Sequence, residues 1–127
     1  MEAILSGSKP AMIHIVDDDD AVRSAVQLLV RSFGWRAQAF ESATDYLDAL
    51  PQGAPDCLLL DLNMPGMDGA ELLRVVTGRH PGLPVIVITG EPQSPLAARA
   101  LQGGAREVLD KPFGELELRR SIERSVG

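Results

Sequence analysis

Cys57-Leu58-Leu59-Leu60-Asp61-Leu62-Asn63-Met64-Pro65-Gly66 is a buried strand that runs into a polar turn. From Cys57 to Leu60 the residues are continuously apolar instead of alternating, as expected of a parallel strand covered on both faces. Met12-Ile13-His14-Ile15-Val16 and Val85-Ile86-Val87-Ile88 read the same way. With two further strand-length segments, the pattern predicts strands over residues 12–16, 36–40, 56–60, 84–88 and 106–109.

Strands covered on both faces need helices between them. Val22, Val26, Leu29, Val30 and Phe33 recur at steps of three and four, as do Leu72, Leu73 and Val76. Asp19 or Asp20, Ser42 and Asp68 are the expected N-caps, and Gly34 and Gly103-Gly104 stand where helices should stop. The strict alternation predicts a doubly wound α/β domain, (βα)5, with a five-stranded parallel sheet and right-handed crossovers. The functional site of such a sheet lies outside the carboxyl ends of its strands.

The bulk properties narrow the function classes. The 127 residues suit one domain, with 45% hydrophobic and 24% charged residues, so the chain should fold. A net charge of -6 with scattered basic residues argues against nucleic-acid binding by this domain. Cys57 is the only cysteine, which excludes an internal disulfide and fits a reducing cytoplasm. No apolar run approaches the length that crosses a bilayer. Residues 1–10 are expected to form a loose tail, and residues 11–127 a single domain.

Chemistry collects at the predicted rim. Asp17-Asp18-Asp19-Asp20 follow the first strand, Asp61 ends the third, Thr89 ends the fourth, and Asp110-Lys111-Pro112 follow the fifth. Carboxylates placed together repel unless a cation neutralises them, and an all-oxygen set suits a hard ion such as Mg²⁺. A carboxylate nucleophile, a metal, a hydroxyl and a lysine together make a phosphoryl-transfer site. Asp19 and Asp20 retain a capping role, His14 and His80 are read as structural, and Met64 and Met67 as loop packing.

The motifs V-D-D after the first strand, D-L-N-M-P-G-M-D-G, I-T-G and D-K-P-F, in this order, resemble the CheY-like receiver domains of two-component response regulators. Ile88-Thr89-Gly90 and the Met64-Pro65 turn are most similar to FixJ-type receivers that drive LuxR-type DNA-binding domains. The resemblance implies a flavodoxin-like strand order of 2-1-3-4-5. It implies that Asp61 is the phosphoacceptor, Asp18 a direct Mg²⁺ ligand, Asp17 a ligand acting through water, and Asn63 a ligand through its backbone carbonyl. Thr89 corresponds to the switch hydroxyl and Lys111 to the lysine that pairs with the phosphate, beside a cis peptide at Pro112. The implied partner is a sensor histidine kinase, and the implied output is transcription. The only chemistry expected is self-catalysed phosphotransfer and autodephosphorylation.

Other readings are a free-standing receiver or phosphorelay intermediate, a pseudo-receiver, and a haloacid-dehalogenase-type phosphatase. The phosphatase needs a second acid two residues after its nucleophile, where this chain has Asn63. A pseudo-receiver would show a damaged pocket, and this one is complete. One position departs from the family: Val108, where most receivers carry Tyr or Phe. A valine cannot swing inward as a ring does, so Thr89 and residues 90–94, stiffened by Pro92 and Pro95, are expected to carry the switch. The apolar residues of Pro95–Gln102 exceed one core stripe and predict a phosphorylation-dependent homodimer through that helix and residues 106–109.

Overall fold

Alternate residues of the central strands build two cores, one on each side of a single sheet. In the computed structural model, which describes residues 9–50, 53–64 and 69–126, the strands are β1 (Met12–Val16), β2 (Arg36–Phe40), β3 (Cys57–Asp61), β4 (Val85–Thr89) and β5 (Glu107–Asp110). The helices are α1 (Asp20–Ser32), α2 (Ala43–Ala49), α3 (Gly69–Arg79), α4 (Pro95–Gln102) and α5 (Glu115–Val126). All strand pairs are parallel and the order is β2-β1-β3-β4-β5. Leu58, Leu60, Val85 and Val87 pack on Tyr46, Leu72, Val76 and Ala97, from α2, α3 and α4. Ile13, Ile15, Leu59, Ile86 and Ile88 pack on Val26, Val30, Leu118 and Ile122, from α1 and α5.

The continuous apolar runs of β3 and β4 are buried at every position, because helices cover both faces of the inner strands. β3, β4 and β5 each begin and end one residue later than the sequence pattern places them. Two local causes are visible. The Asp56 carboxylate takes the Met12 N–H at 2.7 Å, and Pro84 has no N–H to offer a ladder. At the other end, Asp61 still pairs with Ile88 and Thr89 with Asp110, so these polar residues belong to the strands themselves.

Local signals set the helix ends. Asp19 caps α1 by accepting from Ala21 N and Val22 N, Ser42 caps α2 through Asp45 N, and Ser94 caps α4 through Ala97 N with Pro95 in the first turn. The chain leaves α1 and α4 through Gly34 and Gly104, at φ 99° and 112°, a region that favours glycine. The expected Asp68 cap, Met67 and residues 1–8 of the expected tail lie outside the described residues. Pro10 is held, since its carbonyl accepts from Arg36 Nε at 2.9 Å. Among the described residues no helix is long and apolar enough to cross a membrane.

His14 is a core residue, 7% exposed. Its Nδ1 lies 3.0 Å from the Tyr46 hydroxyl, and its ring meets Phe40 and Tyr46 edge to face. Burial pushes its pKa down to about 4, so the ring is neutral near pH 7. Tyr46→Phe leaves a buried imidazole nitrogen without its partner. We expect a loss of about 1–3 kcal/mol of unfolding free energy, read as a lower urea midpoint at constant m; a loss below about 0.5 kcal/mol, the range of ordinary surface changes, would contradict this role.

Candidate functional site

Strand parity and register converge on one rim. Asp17 continues the inward series Ile13-Ile15, and Asp61 continues Cys57-Leu59, on the side of the sheet covered by α1 and α5. β1 and β3 are aligned from Ile13↔Cys57 to Val16↔Leu60, so one further step sets Asp17 beside Asp61. β5 is carried past Asp110 by the bond from Lys111 N to Thr89 O at 2.9 Å, which brings Lys111 to the same rim. The Lys111-Pro112 peptide is cis, as the sequence motif led us to expect.

The carboxylates of Asp17, Asp18 and Asp61 each offer an oxygen, and these atoms lie within 4.8 Å of one another. Asp17 and Asp61 are 3% and 4% exposed, whereas Asp18 is open to solvent. Lys111 Nζ stands 3.6 Å from Asp17 Oδ2 and 3.6 Å from Asp61 Oδ1. Three carboxylates against one ammonium leave negative charge uncompensated once all are ionised. Burial raises the Asp61 carboxyl to about 6, and the charges of Asp17 and Asp18 add to that, against the opposing pull of the Asn63 N–H and Lys111. Such an all-oxygen, over-charged set fits a divalent hard cation. Asn63 N donates to Asp61 Oδ1 at 3.2 Å. Its contacts with Asn63 and Lys111 both use Oδ1, so Oδ2 has no protein hydrogen bond among the described residues.

Thr89, 1% exposed, donates through Oγ1 to Asn63 Oδ1 at 3.0 Å and accepts from Glu91 N at 3.0 Å. Val108 is half-buried in β5, paired with Val87 and packed on the α2–α4 core. The structure thus brings Asp17, Asp18, Asp61, Asn63, Thr89 and Lys111 together at one end of the sheet, and sets Val108 within β5 on the side covered by α2, α3 and α4.

Two supporting residues were not legible as such. Arg23 Nη1 donates to the Asp17 carbonyl at 2.8 Å while the same guanidinium pairs with Asp20, so α1 grips the backbone of the acidic turn. Gly69 opens α3 against the nucleophile: a Cβ there would lie 2.6 Å from Leu62 Cα and 2.8 Å from the Asp61 carbonyl oxygen. Its N–H donates to Leu62 O at 3.1 Å. Glycine is the only residue that lets the helix approach this closely.

Asp61 and His14 oppose each other in acid. Between 3.8 and about 6 the folded chain holds the Asp61 proton more tightly than the unfolded chain, so ionisation at higher pH costs stability. His14 resists protonation when folded, so its stability contribution is full above 6.5 and lost as pH falls toward 4. Asp61→Asn removes the first effect alone. Without divalent cations it should gain about 1–3 kcal/mol in urea unfolding at pH 7, and the gain should shrink as the pH falls below about 6 and vanish only below 3.8. A loss of stability at pH 7 would contradict this picture.

The model of the response regulator receiver domain matches residues 13–123. The transcriptional regulatory protein FixJ of Bradyrhizobium diazoefficiens is 37% identical over 90% of this chain and 56% of its own length. The response regulator protein TmoT of Ectopseudomonas mendocina is 40% identical over 91% of this chain and 53% of its own. This chain thus spans about half the length of these relatives. A CheY-like receiver domain protein from Methanospirillum hungatei superposes with a TM-score of 0.88 at 25% identity, covering 93% of this chain and 94% of that one. With the match running through every strand and every residue of the acidic rim, the chain belongs to the response regulator receiver domains of two-component systems.

Proposed function

We propose that Asp61 accepts a phosphoryl group from the phosphohistidine of a sensor histidine kinase, and that this acylphosphate switches the domain. The observation that carries the reading is the arrangement of Asp17, Asp18 and Asp61 within 4.8 Å, with Lys111 3.6 Å from two of them. Asp61 Oδ2 attacks the phosphorus, the P–N bond breaks, and the imidazole leaves. Lys111 pairs with the negative oxygens of the transferring group, and Thr89 donates a hydrogen bond to one of them. Asp17, Asp18, Asp61 and the Asn63 carbonyl would hold Mg²⁺, which when bound would supply positive charge to offset that of the phosphoryl oxygens.

Water attack on the acylphosphate returns the carboxylate and releases phosphate, which resets the switch. Turnover on small phosphoesters is not expected, because Asn63 stands where a general acid would be needed. The surroundings favour a protein-borne donor: Val22, Ala25, Leu29, Pro112 and Phe113 line an apolar hollow beside Lys111. We place the domain in the cytoplasm, where it controls transcription through a DNA-binding region as in FixJ-type regulators, and does not itself bind nucleic acid.

Acetyl phosphate or a phosphorylated kinase should label Asp61 only with a divalent cation present, and Asp61→Asn should accept nothing. A hydroxylamine-labile phosphate on that variant, or on the parent chain in excess chelator, would overturn the assigned chemistry.

The output surface is proposed to be α4 with β5. Ala97 and Ala100 face the core, leaving Leu101, at the flank of that face, 49% exposed, and Val108 sits passively in the adjoining strand. Full phosphorylation should convert monomer to dimer in sedimentation velocity, and Leu101→Arg should block the conversion. A phosphorylated chain that stays monomeric contradicts the dimer.

A further inference from the structure

Thr89 closes β4 with a hydroxyl that holds one proton and two lone pairs. Glu91 N–H occupies a lone pair at 3.0 Å, and the single proton goes to Asn63 Oδ1 at 3.0 Å. The residue is 1% exposed, so no bulk water competes for that proton. We infer that the Asn63 side chain is a latch: it holds Thr89 in the unphosphorylated domain, and Thr89 reaches the phosphoryl group only by exchanging the amide oxygen for a phosphoryl oxygen. This inference rests on the reading of Asp61 as the phosphoacceptor.

Asn63 then has two separate duties. Its backbone N–H fixes Asp61 Oδ1 at 3.2 Å, while its side chain reaches across to the end of the neighbouring strand. The nucleophile and the switch hydroxyl are tied through one residue, so a change at Asp61 is felt at Thr89 without an aromatic relay. The exchange runs toward the phosphoryl group because a charged acceptor binds a hydroxyl about twice as strongly as a neutral amide. The latch therefore sets how much of that advantage is left to drive the switch. Through Glu91 N–H, movement of the hydroxyl also passes directly to residues 90–94.

The test uses beryllofluoride as the phosphoryl probe, at saturating Mg²⁺ so that changes in metal affinity do not enter. Asn63→Ala should bind it about 2- to 10-fold more tightly, the range expected for one released neutral hydrogen bond. In the free protein the amide resonances of residues 90–94 should move toward their beryllofluoride-bound positions. On a Thr89→Val background the same substitution should change affinity by less than about twofold, because the coupling between the two side chains is gone. Unchanged or weaker binding by Asn63→Ala, or an equal gain without the Thr89 hydroxyl, overturns the latch while the phosphoacceptor reading stands. A parent chain that binds no beryllofluoride overturns both.

Discussion

Two buried carboxylates side by side are the constraint on which the rest of this structure depends. Asp17 and Asp61 sit at the ends of adjacent parallel strands, almost without solvent, with Asp18 at the edge and one ammonium shared between them. Like charges so placed are costly in a medium of low polarity. Burial is what chiefly raises the Asp61 carboxyl to about 6, and the neighbouring charge of Asp17 adds to it. A carboxylate destabilised in this way gains from whatever brings positive charge to it, first a divalent cation and then the electrophilic phosphorus of a donor. The pocket trades stability for reactivity, as functional sites commonly do.

The fold holds this arrangement against its own repulsion. The apolar residues of β1 and β3 lock the register that sets the two carboxylates together, and a slip of either strand by one residue would turn its carboxylate to the opposite face. Arg23 grips the acidic turn from α1, and Gly69 lets α3 press on the peptide that follows Asp61. Neither residue meets the phosphoryl group in the proposed reaction. Both fix the backbone from which the reacting groups hang.

The strand runs and the polar residues ending them were legible because both signals are local: burial on two faces writes a continuous apolar run, and a rim residue follows it directly. The caps at Asp19 and Ser42 were legible for the same reason. Ser94 was not singled out, since Pro92 and Pro95 drew the reading toward a stiff loop. Arg23 looks like any charged residue on the first turns of a helix, and its bond to the Asp17 carbonyl needs the turn to be folded before it exists. The glycine ending D-L-N-M-P-G-M-D-G was visible as a residue, but the 2.6 Å approach that requires it is a tertiary fact. The bond between Asn63 and Thr89 spans 26 residues, and no spacing rule predicts it. The one-residue shifts in β3 to β5 arose because polar side chains at the carboxyl ends were read as leaving the ladder when they still belong to it.

The central claim is that the acidic pocket is held in a state of unrelieved negative charge that a hard cation relieves. Calorimetric titration of Mg²⁺ into the protein at a pH near 6, in two buffers of different ionisation enthalpy, tests it most directly. The account predicts one saturable site per chain, with fractional proton release that disappears by about pH 8, where a group titrating near 6 is fully ionised. Asp61→Asn should abolish the proton release. No saturable binding, or binding that releases no proton near pH 6, would contradict the account.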